Sequence, residues 1–161
     1  MTWERGRPKV EEPLGNSELE LVAPSPELAG RLMEDAGKHL VSARLIGGAD
    51  PNGAYQLAYD AARKACAALL AVQGLRATTR GGHVAVQDAV RAQFNAEGGV
   101  PSFRALARLR RTKAAREYPD VGTPTTTTED VEDAISAASA IAAAARQILT
   151  TGRLDRFVTD G

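Results

Sequence analysis

The stretch TEDVEDAISAASAIAAAARQIL, residues 128–149, decides the fold class. Val131, Ile135, Ala138, Ile141, Ala145, Ile148 and Leu149 follow the spacing of one α-helical face. Thr128-Glu129-Asp130 offers a cap and an acidic first turn, favourable at the positive end of a helix. Gly152 supplies the stop. The apolar run from Ala134 to Ala145 is too short to cross a bilayer, and Arg146 closes it.

The same spacing recurs upstream. A first helix is predicted from Ser25-Pro26-Glu27 to Gly47-Gly48, with Ser25 as N-cap and Leu28, Leu32, Ala36, Leu40, Ala43 and Ile46 as its stripe. A second follows Asp50-Pro51-Asn52 and carries Tyr55, Tyr59, Ala62, Cys66, Leu69 and Leu70 to a stop at Gly74. After a polar loop from Arg76 to Gly82, a third runs from about His83 to Phe94. A fourth runs from Pro101-Ser102 to Tyr118, where Pro119 ends it, and Thr123 to Thr128 forms a linker. Short connections between long helices make neighbours antiparallel. The expectation is therefore an all-α, antiparallel up-and-down bundle of four to five helices over residues 25–152. Residues 1–24, broken by Gly6, Pro8, Pro13, Gly15 and Pro24, read as a flexible N-terminal arm in which Ser17 to Val22 suits a short strand. Residues 153–161 read as a C-terminal tail.

Composition agrees with that architecture. The chain of 161 residues holds 30 alanines and only 4% aromatics, material for helices packed closely rather than for a β-sandwich. Twenty basic residues balance twenty acidic ones, which excludes a basic nucleic-acid coat over the whole surface and leaves room for a local patch. A single cysteine, Cys66, lies on the second predicted helix as a core thiol, and with no disulfide partner it points to the cytoplasm. Nothing in the sequence calls for a membrane.

The local patch is the fourth predicted helix. Between Phe103 and Tyr118 it carries Arg104, Arg108, Arg110, Arg111, Lys113 and Arg116 against one acid, Glu117. Crowded like charges on a helix repel unless an anion or a partner answers them. Phe103, Ala107, Arg110, Ala114 and Tyr118 form one stripe at helical steps, which turns Arg110 and Glu117 towards the apolar side and predicts that they pair with each other or with a residue on a neighbouring helix. Arg104, Arg108 and Arg111 fall on a more exposed flank suited to phosphates.

Other residues carry less. The two histidines, His39 and His83, with one cysteine make a poor zinc site, which needs three or four ligands. No metal and no cofactor is expected, because nucleotide-binding loops and nucleophile elbows are absent from the sequence. His83 follows Gly81-Gly82, a start that exposes backbone N–H groups to an anion or simply lets the loop turn. His39 reads as a packing histidine. Asp60 and Lys64 form an i,i+4 pair of favourable orientation, with Tyr55 and Tyr59 as core anchors.

Three stretches in order resemble a known family. Tyr55-Gln56-Leu57-Ala58-Tyr59-Asp60-Ala61-Ala62-Arg63-Lys64-Ala65 is followed by Gly74 through Arg80-Gly81-Gly82-His83, then by Arg110-Arg111 through Glu117-Tyr118-Pro119. Together they resemble bacterial HEPN domains, in particular the small actinobacterial subgroup, over about residues 25–152. The resemblance implies a helical bundle that forms a homodimer. It also implies a metal-independent endoribonuclease of a toxin–antitoxin or phage-defence system, with RNA or nucleotide as ligand and an antitoxin-type protein as partner. The family's site pairs an arginine with a histidine four to six residues later. Here no histidine follows Arg110 or Arg111, and the stretch ends in Arg116-Glu117-Tyr118. The implied catalytic residues are Arg110, Arg111, Glu117 and Tyr118. Arg104, Arg108, Lys113, Arg116 and His83 are the implied RNA- or phosphate-binding residues. Two alternatives stand beside this one: a non-catalytic HEPN-like module binding RNA, nucleotide or a partner protein, and an unrelated helical protein whose basic helix docks an acidic partner.

Overall fold

A computed structural model describes residues 4–94 and 101–159. Within them the chain is an all-α helical bundle carrying one two-stranded sheet. In chain order the elements are α1 (Pro8–Gly15), β1 (Leu19–Leu21), α2 (Pro26–Ile46), α3 (Pro51–Gln73), β2 (Leu75–Ala77) and α4 (Gly82–Phe94). A 3₁₀ turn (Pro101–Ala105), α5 (Leu106–Glu117) and α6 (Thr128–Thr150) complete the chain.

The caps explain the helix boundaries. Ser25 accepts a hydrogen bond from the Leu28 N–H, and Asp50 accepts one from Gly53. Thr127 and Asp130 form a reciprocal capping box at the start of α6, one residue before the expected cap. Gly74 ends α3 at φ +76°, and a Cβ there would lie 2.7 Å from the Val22 carbonyl oxygen, so only glycine closes this turn.

Central helix α3 packs against α2 and α6 and also touches α4 and α5. Ala54, Ala58, Ala61, Ala62, Ala65 and Ala68 are fully buried along it, so the neighbouring backbones approach closely. Leu69, Leu70, Phe103, Leu106, Leu109 and Ile141 fill the space that the alanines leave. Gln73 and Gln93 are buried too, but their amides donate to each other at 2.6 and 3.1 Å, so neither burial leaves an unmet donor. Among the described residues no helix is long and apolar enough to cross a membrane.

Three expectations change. The stretch 1–24 contains α1 and a strand: β1 pairs antiparallel with β2, Leu19 opposite Ala77 and Leu21 opposite Leu75, and both Val10 and Leu19 are buried. Its prolines start α1 at Pro8 and are carried inside it at Pro13, so they do not exclude a helix. The stretch read as a C-terminal tail buries Leu154 and Phe157, and the Phe157 N–H donates to Gln73. Arg7 ties both ends together, lying over the Phe157 ring at 5.1 Å and donating to the Val158 carbonyl. Finally, the buried face of α5 begins at Phe103, Leu106 and Leu109, not along Ala107, Ala114 and Tyr118. The 3₁₀ turn before α5 has three residues per turn and advances the phase of everything after it.

Candidate functional site

The last turn of α2, the first half of α3, the start of α4 and one face of α5 enclose an open cleft of about 790 Å³. Tyr59, Asp60 and Arg63 come from α3, His83 from α4, and Arg110 and Lys113 from α5. Arg110, Lys113 and Ala114 share a face because they stand three and four residues apart. A second groove of about 580 Å³ lies between α2 and α6, but its charged lining is only Arg44 and Glu132.

Asp60 is the organising acid. Its carboxylate accepts from Arg63 Nε at 2.9 Å and lies 3.2 Å from His39 Nε2 and 3.6 Å from Lys64 Nζ. Burial alone would raise its pKa. The Arg63 hydrogen bond and the charges of Arg63, Lys64 and His39 outweigh burial and hold it below the usual carboxylate range. Asp60 is therefore an ionised clamp, not a base. His39 contributes to that clamp and is more than a packing residue.

Tyr59 is buried, and burial pushes its phenol up, opposed by the Gln87 hydrogen bond and by Arg110, Arg63 and Lys113. Gln87 donates to the phenol oxygen at 2.7 Å, which leaves the phenol proton free to donate. His83 has its pKa lowered, first by desolvation, then by the charges of Arg63 and Lys113, with Asp60 opposing. It is a neutral imidazole at pH 7, set among cations.

Arg110 differs from its neighbours. Arg63 is held by Asp60, and Lys113 pairs with Glu117. Among the described residues Arg110 Nη1 is buried with no hydrogen-bond partner. Of the expected pairings, Arg110 with Glu117 does not form: the two stand two turns apart on α5, and Lys113, one turn from Glu117, takes it. Asn52 Oδ1 is also buried and unpartnered on the wall of the same cleft. One unmet donor and one unmet acceptor thus belong to residues that line the cleft.

The structure gathers Arg110, Lys113 and His83 from the sequence candidates and leaves the others apart. Arg104, Arg108 and Arg111 are exposed on the outer side of α5 and its leading turn. Tyr118 is 81% exposed, outside the cleft. Arg116 donates to the Pro124 carbonyl and to Thr126 Oγ1, which fixes the linker before α6. Sequence reading missed Asn52, Tyr59 and Arg63 as site residues. Their signal was a polar stripe, Asn52, Gln56, Asp60 and Arg63, at helical steps through an alanine-rich helix.

His83 is placed by the N-terminal stretch. The Thr78 N–H and hydroxyl both donate to the Glu18 carbonyl beside β1, and the hydroxyl also reaches the Ser17 carbonyl. Gly82 packs so closely there that a Cβ would lie 2.8 Å from Ala77 Cβ. The glycine pair thus serves backbone approach, and the side chain of His83 rather than an amide nest faces the cleft. Among the described residues no three His, Cys, Asp or Glu side chains gather as metal ligands would. No family model, no curated protein and no solved structure matches this chain.

Proposed function

We propose that the cleft holds a phosphodiester of single-stranded RNA and that the protein is a HEPN-like, metal-independent endoribonuclease. The observation that carries this reading is the buried, unpartnered Arg110 Nη1 in a cleft shared with Arg63, Lys113 and a neutral His83. An unmet charged donor is costly until an anion accepts from it. Asn52 Oδ1 adds an acceptor that bare phosphate cannot satisfy and a ribose hydroxyl can.

The chemistry follows from those roles. His83 takes the proton from the 2′-hydroxyl, whose oxygen attacks phosphorus. The bond from phosphorus to the 5′-oxygen breaks, that oxygen leaves with a proton from solvent, and a 2′,3′-cyclic phosphate remains. Arg110 and Lys113 stabilise the charge that builds on the phosphorane, and Tyr59 donates beside them. His83, from another helix, thereby takes the place of the histidine absent after Arg110 and Arg111. Glu117 and Tyr118 have no part in it. The same reading makes the chain a cytoplasmic homodimer with an antitoxin-type partner, and the exposed Val41 and Leu45 on α2 offer an apolar contact for either.

The test is incubation of the purified protein with single-stranded RNA in EDTA, beside Arg110→Ala, Arg111→Ala and His83→Ala. Cleavage is expected for wild type and Arg111→Ala and is lost in the other two. Salt-sensitive binding without cleavage in wild type would leave the non-catalytic RNA-binding module in its place.

A further inference from the structure

Beyond Arg63 and His83, which line both spaces, lies a narrower pocket of about 230 Å³. Its apolar walls include Leu28 and Leu32 of α2, Ala67 and Leu70 of α3 and Val86 of α4, and Arg76 of β2 lines it as well. Resting on the reading of the cleft as a phosphodiester site, we propose that this pocket takes the nucleobase adjoining the phosphate held by Arg110.

The Arg76 guanidinium is paired with Glu20 at 2.7 Å and the rest of the wall is apolar, so the pocket and the cleft suit different parts of one ligand. Size restricts the apolar part: sites for drug-sized ligands span roughly 300–1,000 Å³, and this space falls below that range, enough for one ring system. The partition between the two spaces is made of a guanidinium and an imidazole, the flat groups on which bases stack. A ligand that is anionic on one side of that partition and flat and apolar on the other is a nucleotide within a strand. Leu28 is 36% exposed at the mouth, so a base splayed from a single strand enters without opening the bundle. A duplex, whose bases stay stacked, is not accommodated.

The test uses short single-stranded RNA in which each position in turn is made abasic, leaving every phosphate in place. Binding to wild type and to Ala67→Leu is measured at fixed salt, with inorganic phosphate as competitor. Ala67 is half-buried on the pocket wall, so the added isobutyl group enters the empty space and leaves the cations untouched. One abasic position is expected to weaken wild-type binding about tenfold, the scale of one base stack. Ala67→Leu is expected to bind intact RNA about as weakly, to ignore that abasic change, and to keep its competition by phosphate. Equal binding of intact and abasic RNA by wild type, or full affinity in Ala67→Leu, overturns the base pocket while leaving the phosphodiester cleft standing. Absence of any RNA binding or phosphate competition in wild type overturns both. A ligand with an aliphatic tail beside its phosphate, such as a long-chain alkyl phosphate, outcompeting RNA in wild type and failing in Ala67→Leu also overturns the nucleobase assignment.

Discussion

Replacing Arg110 with Met separates what the cleft does for folding from what it does for binding. Methionine keeps the length and apolar bulk of the arginine stem and removes its charge and donors. In the wild type, Arg110 Nη1 is buried without a partner, and Arg63 and Lys113 share its cleft. An unsatisfied buried donor costs about 1–3 kcal/mol, and neighbouring like charge adds to that cost. Arg110→Met should therefore leave stability unchanged or raise it by about 1 kcal/mol, which in a chain of this size moves Tm upward by about 2–4 °C. RNA affinity should move the other way, by the roughly 1.5–3 kcal/mol of a hydrogen bond to a charged group, or about 10- to 150-fold. Arg63→Met is the contrast, because it strips Asp60 of its closest partner and should destabilise by about 1 kcal/mol. Urea unfolding with an unchanged m-value reads stability, and fluorescence anisotropy at fixed salt reads binding. A loss of more than about 1 kcal/mol in Arg110→Met would show that the guanidinium has a structural partner, and undiminished RNA binding would remove it from the site.

The remaining predictions address protonation and packing. His83 stays neutral because its folded pKa lies below its ordinary value, so cleavage should rise with pH through a limb below pH 6.5 and be flat at pH 7; His83→Gln should abolish the limb, and a limb that survives in the variant would assign it to another group. Asp60, depressed in the folded state, contributes stability that is complete above about pH 4 and is lost as pH falls through its folded value; Asp60→Asn should flatten the acid side of a stability–pH curve. Burial pushes the Cys66 thiol up to about 12, so iodoacetamide at pH 8 should label the unfolded chain and spare the native one, as mass spectrometry would show. Gly82→Ala forces its Cβ within 2.8 Å of Ala77 Cβ and should destabilise by about 1–3 kcal/mol, with cleavage falling further than unfolding alone accounts for as His83 shifts.

Helix existence was legible because it is written locally. Ser25-Pro26, Asp50-Pro51 and Gly74 each act on their own neighbours, and each cap or stop formed where the sequence placed it. Phase along α5 was not legible. The rotation of Arg110 depends on whether residues 101–105 turn as 3₁₀ or α, and both accept that sequence. That turn sets which side of α5 lies against the bundle, and so which of its cations reach the cleft. In the N-terminal stretch a short strand was legible at Ser17 to Val22, but its pairing was not, because the partners of Leu19, Glu20 and Leu21 lie more than fifty residues away, Glu20 facing Arg76 at 2.7 Å.

The cleft depends on that long-range pairing more than on any motif. α3 supplies a clamp that charge-balances Arg63, and α5 supplies Arg110, whose Nη1 has no hydrogen-bond partner among the described residues. Neither places a proton acceptor. His83 reaches the cleft because β1 holds β2, Thr78 is tied to Ser17 and Glu18, and Gly82 lets α4 start against that edge. The segment that looked dispensable is thus the one that places His83 on the cleft. Cutting the first 24 residues would remove β1 and the carbonyls that hold Thr78, while Arg63, Arg110 and Lys113 stay on helices packed elsewhere in the bundle. On the proposed reading, such a truncation should keep RNA binding, read by fluorescence anisotropy, and lose cleavage in EDTA; cleavage that survives would remove His83 from its proposed role.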